Sequence, residues 1–299
     1  MQIEMVEVGP RDGLQNEPGL VSAAGKLALI DRLIDCGARR IEATSFVIPR
    51  KVPQMADADE VAAALPERSD VTFIGLVLNR RGAERALEHA RIGELGAVCV
   101  TTDPFAMANQ GQTSDESVEV ARDIIYTAKR AGRRGQATIA ASFGCPYTGE
   151  VPEERVVSIA QRLAEAEPVE VALADTIGVA VPNAVASLVR KVSEAIAPVP
   201  VRIHLHNTRN TGIANVWAAV EAGVRTVDAS LGGLGGCPFA KGTAGNVPTE
   251  DVVYMLERSG VATGLDLDRL IEASRWFAGI MNKSLPGLLG RAGPFPKAA

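Results

Sequence analysis

Val201-Arg202-Ile203-His204-Leu205-His206-Asn207 carries two of the three histidines in the chain. Side chains alternate along a strand, so His204 and His206 share one face at the end of a short apolar run. Their neutral ring nitrogens suit metal ligation. The run is one of a series. Apolar or β-branched stretches recur near 3–8, 39–44, 71–77, 96–101, 136–142, 169–174, 200–205 and 225–230, and the segments between them carry helical periodicity. Leu27, Ile30, Leu33 and Ile34 form one apolar stripe, opened by Ser22 and stopped by Gly37. Val118, Ala121, Ile124, Ile125 and Ala128 form another, opened by the capping box Thr113-x-x-Glu116. Pro152 and Pro182 each stand where a first helical turn begins, and Val185, Leu188, Val189, Val192 and Ile196 supply the buried face after the second. Eight strands, each followed by a helix, predict a single (β/α)8 TIM barrel over residues 1–299, with an open doubly wound sheet as the alternative. A further helix near 266–282 and a Gly- and Pro-rich tail make a C-terminal extension over about 261–299, placed to cap the barrel or to meet another subunit.

Composition narrows the function. The chain is 46% hydrophobic and 22% charged, enough apolar material for a large core. A net charge of -5 argues against nucleic acid, which needs a basic surface, and leaves an anionic small substrate open. Cys36, Cys99, Cys145 and Cys237 form no Cys-x-x-Cys motif, which reads as reduced thiols rather than structural zinc. No apolar run approaches a membrane span and the first strand follows directly on Met1, so a cytoplasmic protein without a membrane partner is expected.

Active sites of such barrels lie at the carboxyl ends of the strands, and the unusual residues fall there. The first strand leads into Gly9-Pro10-Arg11-Asp12-Gly13-Leu14-Gln15-Asn16-Glu17, the second into Glu42-Ala43-Thr44-Ser45-Phe46. The fifth leads into Gly144-Cys145-Pro146-Tyr147, the sixth into Asp175-Thr176-Ile177-Gly178, and the eighth into Gly232-Gly233-Leu234-Gly235-Gly236-Cys237-Pro238-Phe239 and then Gly245-Asn246. Plainer roles compete at each. Arg11 and Asp12 could be a turn ion pair, Asp175 a loop cap, and the glycine run a flexible loop. Cys36 and Cys99 read as core, and Cys145 as packing or pocket wall. His89 reads as surface. Cys237 differs, because the glycines around it leave its thiol room to reach a ligand. Ring closure brings the first strand near the seventh. Asp12, His204 and His206 can therefore converge, and one carboxylate with two imidazoles suits a divalent cation that keeps open positions. Asn246 could add a carbonyl oxygen.

Four segments carry a resemblance: Glu7-Val8-Gly9-Pro10-Arg11-Asp12-Gly13-Leu14-Gln15-Asn16-Glu17; His204-Leu205-His206; Gly233-Leu234-Gly235-Gly236-Cys237-Pro238-Phe239-Ala240; and Gly245-Asn246-Val247-x-Thr249-Glu250-Asp251. In order, and over nearly the whole chain, they resemble the 3-hydroxy-3-methylglutaryl-CoA lyases. The resemblance implies a homodimeric, metal-dependent barrel that cleaves its acyl-CoA substrate to acetyl-CoA and acetoacetate. It implies that Asp12, His204, His206 and Asn246 hold Mg²⁺ or Mn²⁺. It assigns Arg11 to the developing enolate, Cys237 to proton transfer, and Glu42 and Asp175 to supporting hydrogen bonds. The base for the substrate hydroxyl is left open among His204, Asp175 and a metal-bound water. Gln15, Asn282 and Lys283 become candidate substrate contacts. Two positions depart from the family pattern: Asn207 follows the histidine pair where aspartate is usual, and Pro18 replaces a common basic residue. His-x-His-Asn occurs in related acyl-CoA-dependent Claisen synthases. A condensing synthase, a lyase for a longer 3-alkyl homologue and a non-catalytic acyl-CoA- or metal-binding barrel are therefore the competing readings.

Overall fold

A computed structural model describes residues 1–235 and 245–296. Eight parallel strands close into a barrel: β1 (Glu4–Glu7), β2 (Arg40–Ser45), β3 (Thr72–Val77), β4 (Ile92–Val100), β5 (Arg134–Ala140), β6 (Val171–Ala174), β7 (Val201–His204) and β8 (Thr226–Ala229). The closing pair is β1 on β8, with Val6 opposite Asp228. Each expected strand is present. The fourth begins four residues earlier than its apolar pattern suggested: Gly93 and Glu94 break the run, yet Ile92 pairs with β3 and Glu94 with both β3 and β5 across a register shift.

The outer ring comprises α1 (Ala23–Asp35), α2 (Ala58–Ala64), α3 (Arg80–Leu87), α4 (Asp103–Gln110), α5 (Ser114–Arg130), α6 (Glu153–Ala164), α7 (Pro182–Ile196), α8 (Gly212–Glu221), α9 (Thr249–Arg258), α10 (Leu267–Met281) and α11 (Leu289–Ala292). Local chemistry sets these starts. Ser22 accepts a bond from the Gly25 N–H at 3.2 Å, and Thr113 with Glu116 completes both halves of the capping box. Pro152 is the N-cap of α6 rather than its first helical residue, whereas Pro182 does open α7. The α5 and α7 stripes are buried as read. In α1 Leu27 is half-buried, and Leu29 takes a fully buried place beside Ile30 and Leu33.

The C-terminal extension packs on the side of the barrel and reaches the loop after β8. Helix α10, capped by Asp266, packs on α1 and α9. The residues after it turn back, and the Gly287 N–H donates to Gly232 O at 2.8 Å. His89 is half-buried rather than surface: its ring lies 5.6 Å from Phe46, and it bonds Asp59. No helix of the described residues is long and apolar enough to cross a membrane.

Each strand shows two faces. In β7 and the residue after it, Val201, Ile203 and Leu205 belong to the apolar layer under the helices. The intervening Arg202 and His204 point into the lumen, as alternation requires. Barrel lumens are usually filled by branched apolar residues. Here Val6, Val8 and Ile74 form a small apolar cluster of their own, while much of the remaining lumen is charged. Arg40, Glu94, Glu170, Arg202 and Asp228 are all buried there.

Candidate active site

Strand β1 runs into a single π-turn, Gly9–Gly13, in which the Gly13 N–H reaches back to Val8 O at 3.1 Å. Such turns recur at functional sites. This one lifts Arg11 and Asp12 over the lumen. The Arg11 guanidinium is buried between two carboxylates. Its Nη1 donates to Asp12 Oδ1 at 2.6 Å, and its Nε donates to Glu42 Oε2 at 2.7 Å. The pair is therefore a desolvated element of the mouth and not an exposed turn bridge.

Opposite stand the histidines. Their Nε2 atoms face one another at 3.3 Å, and His204 Nε2 lies 4.0 Å from Asp12 Oδ2. Donor atoms of Asp12, His204 and His206 all fall within 4.8 Å of one another. Asn246 arrives through a backbone bridge to His206 and donates from Nδ2 to Asp12 Oδ2 at 2.8 Å and to Leu234 O at 3.1 Å. The neighbouring Gly235 is obligatory: its φ is +101°, and a Cβ there would lie 2.7 Å from Asn246 Nδ2.

Electrostatics favours cation binding. Burial alone would raise the Asp12 carboxyl, but Arg11 and then the two histidines outweigh it and hold the group well below the usual range. Burial, then His204, pushes His206 down to about 4, so its ring stays neutral and its lone pair available. His204 is opposed by burial, yet its bond to Asp228 and the charge of Asp12 raise it. That bond, His204 Nδ1 to Asp228 Oδ2 at 3.1 Å, is of the carboxylate–histidine kind that orients and fixes the tautomer of histidines at metal sites. One carboxylate and two imidazoles, with a carboxylate behind one ring, make a donor set that fits a divalent cation. Asp228 was not singled out from sequence. Its only signal is a charged residue at an inward position of a short strand.

The other expected residues lie as follows. Asp175 is buried, and its two oxygens accept from the Val179 and Ala180 N–H groups, both at 2.9 Å. Those bonds hold the loop after β6. Burial raises its pKa against them. Gln15 is half-buried just beyond the π-turn. Asn282 is the left-handed C-cap of α10, and Lys283 extends to both oxygens of the buried Glu17 at 2.6 and 2.5 Å. Cys237 lies outside the described residues. Cys145 sits with its Sγ 3.0 Å from Thr102 Oγ1, and Cys36 and Cys99 are buried free thiols. The departure at Asn207 has a structural reading: its Oδ1 accepts from the Gly212 N–H at 3.0 Å, and its own N–H bonds Gly245 O at 2.5 Å. It thereby fixes the start of α8 and the approach to Asn246.

Known proteins share this architecture and sequence. A family model described as HMGL-like matches residues 2–276. The (R)-citramalyl-CoA lyase of Chloroflexus aurantiacus is 44% identical, covering 98% of this chain and 95% of that protein. The hydroxymethylglutaryl-CoA lyase of Pseudomonas mevalonii is 39% identical, covering 96% of each. An HMG-CoA lyase from Acinetobacter baumannii, solved with coenzyme A and 3-methylmalate, superposes with a TM-score of 0.94 at 38% identity, covering 100% of this chain and 97% of that one. The chain therefore belongs to the HMGL-like family, that of the 3-hydroxy-3-methylglutaryl-CoA lyases, and is itself a lyase.

Proposed function

We propose that this lyase cleaves 3-hydroxy-3-methylglutaryl-CoA to acetyl-CoA and acetoacetate, with Mg²⁺ or Mn²⁺ held by Asp12, His204, His206 and the Asn246 side-chain carbonyl. The observation that carries this reading is the convergence of Asp12 and the two histidines within 4.8 Å, beside a guanidinium locked by two carboxylates. A bound divalent cation supplies Lewis acidity, which lowers the pKa of a tertiary hydroxyl and holds it in place.

The chain's own groups do the rest. With the hydroxyl proton passed to Asp175, C–C scission leaves the ketone of acetoacetate and a thioester enolate, and Arg11 offers preorganised N–H donors to the enolate oxygen. Glu42 keeps that guanidinium from turning. Cys237 gives a proton to the enolate carbon. Asp175 keeps the rim after β6 in place. Gln15, Asn282 and Lys283 are the assigned contacts to the acyl-CoA. The same reading includes a cytoplasmic homodimer, which light scattering checks for its subunit number.

The 44% identity to a citramalyl-CoA lyase favours a second reading. A citramalyl thioester carries its carboxylate one methylene closer to the carbinol carbon, and the same scission yields pyruvate. One assay separates them. Purified protein with Mg²⁺ is given each thioester, and the keto acids are resolved. Acetoacetate as the faster product upholds the proposal, and pyruvate as the faster product moves the substrate to the second reading. Chelator should abolish turnover and added cation restore it. Condensation of acetyl-CoA with a keto acid, without scission of either thioester, would place the chain among the synthases.

A further inference from the structure

Beneath the site an alternating row of charges runs down the lumen, and one member touches the histidine system from below. Arg202 precedes His204 by two residues, so both side chains enter the lumen from β7. Asp228 lies opposite His204 in register on β8. Its carboxylate lies between the two, with Oδ2 3.1 Å from His204 Nδ1 and Oδ1 3.4 Å from Arg202 Nε, the second an ion pair whose two atoms make no hydrogen bond. Arg202 is itself held on its other edges. Its Nη2 donates to Gln136 Oε1 at 2.9 Å and to Thr138 Oγ1 at 3.3 Å, and its Nη1 lies 3.4 Å from Glu170 Oε1. Glu170 is in turn 2.6 Å from Arg40 Nη1, and Arg40 Nη2 lies 2.5 Å from Glu94.

A carboxylate behind a histidine can turn about its last torsion. A guanidinium held by three other residues biases it, through charge, toward one orientation. Arg202 is 3% exposed, so water does not substitute for it. We propose that Arg202 is a positioning residue of the cation site: by fixing the Asp228 carboxylate it fixes the ring and tautomer of His204, and hence the affinity for a divalent metal. The inference rests on the cation reading given above.

The test is a Mn²⁺ titration followed by the paramagnetic resonance of the free ion, on wild type, Arg202→Lys and Arg202→Met. Both variants should bind Mn²⁺ more weakly, by about 10–100-fold, with lysine the milder because it keeps the charge and loses the fork. Ile203→Val, on the same strand but facing the helices, should bind as wild type does. A folded Arg202 variant with wild-type affinity would reduce the residue to a fold element. Wild type that binds no Mn²⁺ would overturn the cation reading itself. Should neither variant fold, the wild type decides. With three histidines in the chain, nitrogen-15 spectra of the metal-free protein on the alkaline side of the imidazole range should show His204 with its proton on Nδ1 alone. A proton on Nε2, or a mixture, would sink the proposal.

Discussion

Arg202 and Ile203 are adjacent in β7, yet they occupy different media. Ile203 joins a continuous apolar layer between strands and helices, where substitutions register as lost volume. Arg202 joins a lumen where buried charges alternate in sign and where substitution leaves a partner uncompensated. The helix layer accounts for stability through area removed from water. The lumen contributes little net stability, because desolvation offsets attraction, and instead fixes orientation beneath the mouth. The difference teaches where function is exposed to mutation: on the inward face of each strand, well below the residues that touch substrate.

Four measurements can break or sharpen that contrast. The largest effect is expected at Arg40. Its replacement by methionine leaves Glu94 and Glu170 without their shared cation, and chemical denaturation should report a loss of about 3–5 kcal/mol. A loss under about 1 kcal/mol would show that water or rearrangement shields the lumen. Next comes Arg11→Gln at the mouth, where kcat should fall about 10²–10³-fold with Mn²⁺ binding retained; near-normal turnover removes Arg11 from the enolate.

Third is a pH effect. Glu7 is buried behind the mouth. Its Oε1 accepts from the Gly9 and Leu231 N–H groups, and its Oε2 accepts from Thr249 Oγ1. Burial raises its pKa from 4.5 to about 7, and Glu250 is raised likewise to about 7. A carboxyl raised in the fold stabilises it fully below the unfolded value and loses that contribution as pH climbs through the folded one. Stability should therefore decline between about pH 4.5 and 7, by up to about 3 kcal/mol from Glu7. Glutamine mimics the neutral acid, so Glu7→Gln should flatten part of the decline and leave the share of Glu250. An unchanged slope in thermal melts across that range would mean Glu7 is ionised throughout. Smallest is Ile203→Val, which should destabilise by about 0.5–1.5 kcal/mol and leave kcat where it was.

The sequence made the outer layer legible and the lower lumen opaque, for a physical reason. Strands and helices announce themselves by period, as in the α5 and α7 stripes, and turn chemistry such as the Thr113 capping box is written in neighbouring residues. The histidine pair was readable because its two members lie on one strand. Convergence of Asp12 with them followed once ring closure was inferred, and the structure brings the three together. Arg40, Glu94 and Glu170 carry no such local mark, because each sits on a different part of the barrel. The π-turn at Gly9–Gly13 also has no periodic signature. Asp228 was hidden because a single acid in Thr226-Val227-Asp228-Ala229 reads equally as an outward-facing residue.

The bond from Asn246 to Asp12 joins residues 234 positions apart. Asp12 is made long before Asn246, and until then its adjacent residue Arg11 is its partner. Closing so long a segment carries an entropic penalty that only the completed ring offsets. The pocket can therefore assemble only once residue 246 has been made, and a chain truncated before it would lack a full set of donor atoms, however much of the barrel it had built.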